Sequence, residues 1–278
     1  GGFVGIIVAD FHNPIFTEIA DLARQTLASR GVFSFVATAS YTDTNGHRAV
    51  DPEPIQHLLD LKPSSLLIVG GLTDHKPFKQ VASNLPIVVA LASGAELPLS
   101  ASVLSDDNDA MRQICNHLKQ LGHTEATYIG PMGSAVADDR RSAFELQAKI
   151  AGIESSFVST GLLVDEAAGF AATAKALVGR PNLTALVAYN DNLAFGVQQA
   201  LDQSGDDRPI AVTGYDNTYI AQLDRISLTS IEQQELQIAQ RACELLTDPE
   251  RMELARGKQI LVAPKLVIRR SSLPNQGK

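Results

Sequence analysis

The chain has 278 residues, enough for two domains of ordinary size. Apolar residues make up 45% and charged residues 19%, close to globular averages, which excludes a disordered, collagen-like or coiled-coil chain. Lys and Arg number 23 against 31 Asp and Glu, a net charge of −8, and so acidic a protein is poorly suited to gripping nucleic acid over a broad face.

The predicted elements alternate between strand and helix. Residues 3–9 form a continuous apolar run, the mark of a strand buried on both faces. A helix follows with Phe16, Ile19, Ala20, Ala23 and Leu27 on one side, stopped by Gly31. A strand at 33–38, a polar loop at 40–51, and a helix at 52–61 with Pro in its first turn come next. Then follow a strand at 65–69, a helix at 77–84, a strand at 86–91, a loop at 93–101 and a short strand around Val103. A helix over 109–121 ends at Gly122.

The alternation starts again with strands at 126–129, 156–159, 185–188 and 210–213, separated by helices at 138–151, 166–178 and 192–204. A strand at 228–231 and a helix at 233–246 follow. An apolar stretch at 260–268, broken by Pro264, closes the chain as one or two edge strands. This order implies an α/β fold with parallel sheets and right-handed crossovers, two successive doubly wound sheets rather than one. An eight-fold barrel is the rival; the long loops at 40–51 and 93–101 and the strand–strand ending stand against it.

Two cysteines cannot build a disulfide framework or a zinc site. Cys115 and Cys243 each sit in an apolar helical stripe and read as buried thiols. No apolar run reaches the length of a membrane span, and no secretory signal is visible. The expected compartment is the cytoplasm, with no membrane partner.

In open parallel sheets, ligands bind beyond the carboxyl ends of the strands, where helix N-termini also point. Those positions here carry Asp10 to Phe16, Gly70-Gly71, Gly130 to Arg141, Tyr189-Asn190-Asp191, Gly214 to Asn217 and Glu232-Gln233-Gln234. Carboxylates, amides, Arg and rings together can hold a small polar molecule. Singly, each has a plainer explanation: Asn190-Asp191 is a natural helix cap, and Arg140 and Arg141 can pair with Asp138 or Asp139 on a solvated helix end. Collected at one edge, they read better as a site. Catalytic signatures are missing: no phosphate-binding lysine loop, dinucleotide fingerprint, nucleophile elbow or zinc-protease helix. The six histidines show no metal-ligand spacing, and only His12 lies in a candidate site loop. No enzyme activity, cofactor or metal is expected.

These motifs resemble the effector-binding core of the lactose/galactose-repressor (LacI/GalR) family of bacterial regulators, relatives of periplasmic sugar-binding proteins. The likeness rests on the opening run Val4 to Phe16 with its Asn13-Pro14 turn, Asp107-Asn108 before His117-Leu118, and Asp139-Arg140 with Ala143-Phe144. It continues through Asn190-Asp191, Val212 to Asp216, Leu228 to Ile231 and Leu266 to Arg269, in family order over nearly the whole chain. It implies two doubly wound subdomains, 3–122 with 232–249 and 123–231 with 250–272, crossing near Gly122, Ile231 and the stretch after Leu246, with a ligand cleft between them. Arg140, Asn190, Asp216 and Gln233 would occupy ligand-contact positions, and Asn13 and Phe16 would contribute from the first loop. The resemblance also implies a homodimer, and contact with operator DNA only through a helix-turn-helix head that would precede residue 3. Leu91-Ala92 stands where many relatives carry Asp-Arg, Ile15 replaces a second aromatic, and Arg225-Ile226-Ser227 replaces a proline pair.

The expected function is therefore effector sensing and dimerisation in a transcriptional regulator, with a sugar-transport binding protein as the alternative. One firm cation, one firm anion and three amides suit a neutral sugar or polyol better than a phosphate. A purine-like or carboxylated ligand is the other possibility, with Arg140 clamping an anion while Phe16 and Tyr189 pack a planar group.

Overall fold

The computed structural model describes residues 2–274. The chain begins β1 (Phe3–Val8), α1 (Pro14–Ser29), β2 (Phe33–Thr38), a hairpin β3 (Ser40–Thr42) and β4 (Arg48–Val50), α2 (Pro52–Asp60), β5 (Ser65–Val69), α3 (Lys76–Lys79), β6 (Ile87–Ala90) and β7 (Ala101–Ser105). It continues with α4 (Asp107–Gln120), β8 (Glu125–Gly130), α5 (Ala135–Ala151), β9 (Glu154–Ser159), α6 (Glu166–Leu177), β10 (Ala185–Ala188), α7 (Asp191–Ser204), β11 (Ala211–Thr213) and β12 (Ser230–Glu232). It closes with α8 (Glu235–Thr247), α9 (Pro249–Ala255), β13 (Gln259–Val262), β14 (Lys265–Val267) and a 3₁₀ turn at Arg270–Ser272.

Two compact units result. The first takes the chain up to Ser105 together with Gln234–Val262; the second takes Asp106–Gln233 and the segment from Ala263 on. The first division thus falls ahead of α4, not near Gly122. The reason is packing: Met111, Ile114, Cys115 and Leu118 of α4 share a core with Tyr128 and Phe144 of the second unit. The last division falls after Val262 because β13 pairs in parallel with β7, register Gln259 to Ser102, which keeps residues 250–262 with the first unit.

The first unit is a six-stranded sheet of order β13-β7-β6-β5-β1-β2, every pairing parallel. Ile19, Ala23 and Leu27 of α1 and Ile238, Ala239 and Cys243 of α8 bury against Ile6, Val8 and Val88 on one face. Each fully buried Ile or Leu contributes about 2 kcal/mol. On the other face a Cβ on Gly5 would strike Leu58 of α2 at 2.9 Å, so the bare strand residue lets α2 lie close.

The second unit is a parallel sheet of order β11-β10-β8-β9. Tyr128 and Val187 face α4 and α5, whereas Ile129 and Leu186 face α6 and α7, so the strands alternate between two covered faces. The cysteines are buried, and burial pushes the Cys115 thiol up to about 12 and the Cys243 thiol up to about 11.

Local structure departs from expectation in three places. Residues 40–51 form the β3–β4 hairpin rather than a loop. The helix expected at 77–84 is a single turn, α3, without a side-chain cap. An extra helix, α9, starts at Pro249, where Asp248 caps the amides of Glu250 and Arg251. The stretch broken by Pro264 gives two edge strands, in line with expectation, β13 beside β7 and β14 antiparallel to β12.

Candidate functional site

Arg140, on the second turn of α5, is 5% exposed. An unpaired guanidinium could not be buried so deeply, and the surrounding elements supply what it needs. Its Nε donates to Asp107 Oδ1 at 3.2 Å and its Nη1 to the Tyr189 carbonyl at 3.0 Å. Its Cζ lies 3.7 Å from the centre of the Tyr215 ring and 4.6 Å from that of Tyr189. A desolvated cation–π contact is worth about 2 kcal/mol. The Tyr215 hydroxyl in turn donates to Asp107 Oδ1 at 2.5 Å. Burial works against the charge, but Asp107, Tyr215, Tyr189 and Asp216 outweigh it and hold Arg140 well above the usual arginine range.

The plainer expectation pairs Arg140, like Arg141, with Asp138 or Asp139. The structure assigns that role to its neighbour instead: Arg141 lies 3.9 Å from Asp138 and 3.7 Å from Glu145 and stacks on Phe157. Asp107, the first residue of α4, was legible only as part of a motif; its bond to a residue 33 positions on was not.

Asp216 and Gln233 follow β11 and β12. Gln233 Nε2 donates to Asp216 Oδ1 at 2.7 Å, and both side chains are buried. Asp216 has φ 111°, a region L-residues rarely adopt. Asn190, after β10, does cap α7: its Oδ1 accepts from the Leu193 amide at 2.9 Å, and its Nδ2 donates to the Val164 carbonyl at 3.3 Å. Such a cap is worth about 1 kcal/mol. Beside it, Asp191 is 1% exposed, and burial pushes its carboxyl up to about 6 against the pull of Ser230 and Thr218. The structure thus gathers Arg140, Asn190, Asp216 and Gln233 at the carboxyl edge of the second sheet.

Asn13 and Phe16 lie at the carboxyl edge of the first sheet. Asn13 is buried and caps α1 through the Ile15 amide at 3.3 Å. The Phe16 ring lies over Gly70, where a Cβ would sit 2.8 Å from Cζ. On the same edge Arg48 of the hairpin pairs with Asp10 at 2.9 Å and donates to the Ala9 carbonyl at 3.2 Å. Leu91 is a buried core residue at φ 66°, and Ile15 is buried in the same core. His12 is exposed. His117 and His123 serve structure: the first bonds the Ser272 hydroxyl and the second that of Thr184, each at 2.8 Å. Burial lowers the pKa of both rings.

A family model described as a periplasmic binding protein-like domain matches residues 115–272. The chain belongs to that family. More specifically, its relatives are LacI/GalR-type transcriptional regulators rather than enzymes or transporter components. MalR of Streptomyces coelicolor, an HTH-type transcriptional regulator, is 28% identical over 99% of this chain and 82% of its own length. A LacI transcriptional regulator from a Rhodococcus species superposes with a TM-score of 0.84 at 24% identity, over 98% of both chains. A LacI family regulator from Enterococcus faecium, solved with bound ribose, superposes with a TM-score of 0.80 at 20% identity, over 99% of this chain and 100% of the other. These likenesses fix the α/β periplasmic-binding-protein-like fold. Among the described residues no helix is long and apolar enough to cross a membrane, and no group of three or more potential metal ligands occurs.

Proposed function

We propose that this regulator core senses a small neutral sugar or polyol, with Arg140, Asn190, Asp216 and Gln233 as its ligand contacts. The observation that carries this reading is the pairing of Arg140 with Asp107. The single cation of the cluster is already neutralised, and Asp216 adds a second carboxylate, so the edge presents no surplus positive charge to a phosphate or carboxylate. Arg140 gives Nε and Nη1 to protein acceptors, two of the five N–H donors of a guanidinium. Asp216 and the amides of Asn190 and Gln233 supply acceptors and donors of the kind hydroxyls need. The ribose in the Enterococcus faecium relative supports the same ligand class.

The core works in the cytoplasm as a homodimer. Effector binding alters the fit of paired helix-turn-helix heads to two-fold-symmetric operator DNA. Thermal-shift screening of neutral sugars, polyols, sugar phosphates, organic acids and nucleobases tests the ligand class. A ligand at a hundredfold its Kd stabilises by about 2.7 kcal/mol, a readily measured rise in Tm. A neutral sugar or polyol is expected to give that rise, and Asp216→Asn to remove it. A response confined to phosphorylated, carboxylated or planar heterocyclic compounds overturns the reading.

A further inference from the structure

The loop 214–218 carries the acceptor of the proposed sugar site, and its backbone is costly to hold. Asp216 at φ 111° and Asn217 at φ 51° are consecutive non-glycine residues on the positive side. Such conformations persist only where the surroundings over-determine them. Here the restraints are explicit. The Gly214 amide donates to the Thr229 carbonyl at 2.8 Å and the Asp216 amide to the Ile231 carbonyl at 2.9 Å. The Asn217 amide donates to the Ser230 hydroxyl at 3.0 Å. The Thr218 amide and hydroxyl both donate to Asp191 Oδ2, at 2.8 and 3.1 Å. The Ser230 hydroxyl donates to Asp191 Oδ1 at 2.6 Å. From the other side, the Asp191 amide donates to the Tyr215 carbonyl at 2.9 Å.

One side chain therefore joins three pieces of the unit: the start of α7, the loop after β11, and β12, which leads directly to Gln233. Both carboxylate oxygens are consumed by it. A Cβ on Gly214 would lie 2.3 Å from Asp191 Oδ1, so the loop is bare where the carboxylate passes. The amide-rich N-terminus of α7 also favours a carboxylate here. A carboxylate this deeply buried is expensive, and α7 already has its cap in Asn190, so capping does not account for Asp191.

We propose that Asp191 is a positioning residue: through Thr218 and Ser230 it fixes the strained Asp216–Asn217 backbone and so holds the Asp216–Gln233 pair in its ligand-receiving geometry. This rests on the sugar-sensing reading for its consequence, and on loop geometry alone for its cause. The two are tested apart by hydrogen exchange on the unliganded full chain and by titration with ribose.

In Asp191→Ala the amides of Asn217 and Thr218 are expected to exchange about tenfold faster or more, as the loss of a hydrogen bond to a charged group allows. The amides of Leu186 and Val187 in β10 should keep their protection. Asp191→Asn retains an oxygen for Thr218 and should restore the protection of its amide. Loop amides as protected as in wild type, or protection lost throughout the unit at once, overturn the proposal. If Asp191→Ala fails to fold, Ser230→Ala removes one arm of the tie, and the same loop-confined acceleration is required of it. With ribose as probe, Asp191→Ala should weaken binding about tenfold in the wild-type background and not at all further in Asp216→Asn, because contacting residues couple. Equal losses in both backgrounds refute the route through Asp216. If wild type itself ignores ribose and every other neutral sugar, the sugar reading fails while the exchange result still decides the role of Asp191.

Discussion

Replacing Asp107 by Ala strips the counter-charge from a guanidinium whose side chain is only 6% exposed. Removing one member of a buried ion pair costs about 3–5 kcal/mol, because the remaining charge is left desolvated and unpaired. Two features change that figure here. Asp107 itself is 20% exposed, so water enters the vacated space, and the Asp216 charge still acts on Arg140. Against them, the Tyr215 hydroxyl loses its acceptor. A net loss of about 2–4 kcal/mol follows, or a fall in Tm of about 4–8 °C for a chain of this size. Circular dichroism at 222 nm during heating measures it. The double variant Asp107→Ala with Arg140→Met removes the stranded charge and should recover most of the loss, since a well-packed apolar side chain replaces a buried ion pair at little cost. A single-variant loss below about 0.5 kcal/mol, the size of an ordinary surface change, would refute the reasoning. So would a double variant no more stable than Asp107→Ala.

Gly196→Ala should be severe, because the new Cβ would lie 1.9 Å from the Glu166 carbonyl oxygen and force α6 and α7 apart. A loss of about 3 kcal/mol is expected, against about 1 kcal/mol for Gly152→Ala, which meets only open space at φ 74°; equal melting temperatures for the two variants would contradict this. The Asp191 carboxyl, pushed up to about 6 by burial, binds its proton more tightly in the fold than in the unfolded chain. Its contribution to stability is therefore full below about pH 4 and is lost as pH rises through 6, about 3 kcal/mol in all. Asp191→Asn lacks that dependence, so its Tm deficit relative to wild type should shrink between pH 4.5 and 7.5, and a constant or widening deficit would be inconsistent with it.

The strand–helix alternation was legible because buried parallel strands such as β1 and β5 are unbroken apolar runs and their helices carry clear caps and stops. Residues 40–51 were not, since a three-residue β3 and β4 leave no periodicity to detect. The unit boundary at Ser105 was also hidden. Helix α4 is amphipathic whichever sheet it covers, and only its packing with Tyr128 and Phe144 decides its side. That Arg140, Asn190, Asp216 and Gln233 share one sheet edge was legible because each lies in a segment that follows a strand, whereas their expected role as ligand contacts came from the family resemblance. Asp107 and Asp191 were not assigned their roles, because their partners lie at sequence separations of 33 and 108 for the first and 27 and 39 for the second. No local pattern encodes such distances.

The edge also shows why a polar residue after a strand is hard to classify from sequence. A helix N-terminus leaves backbone amides without partners, and a side chain that satisfies them has less left for a ligand. Asn190 illustrates this: its oxygen serves the Leu193 amide and one Nδ2 hydrogen serves Val164. Cap and site are thus competing uses of the same atoms, and the balance differs by residue. Asn190 is mostly spent. Arg140 gives Nε to Asp107 and Nη1 to the Tyr189 carbonyl, and Gln233 Nε2 donates to Asp216 Oδ1. On the proposed sugar-sensing reading, discrimination among sugars falls to Arg140, Asp216 and Gln233. Asn190→Ala should lower stability by about 1 kcal/mol, as loss of a cap does, and weaken binding less than Asp216→Asn. An Asn190→Ala variant that loses ribose binding completely at unchanged Tm would reverse that assignment.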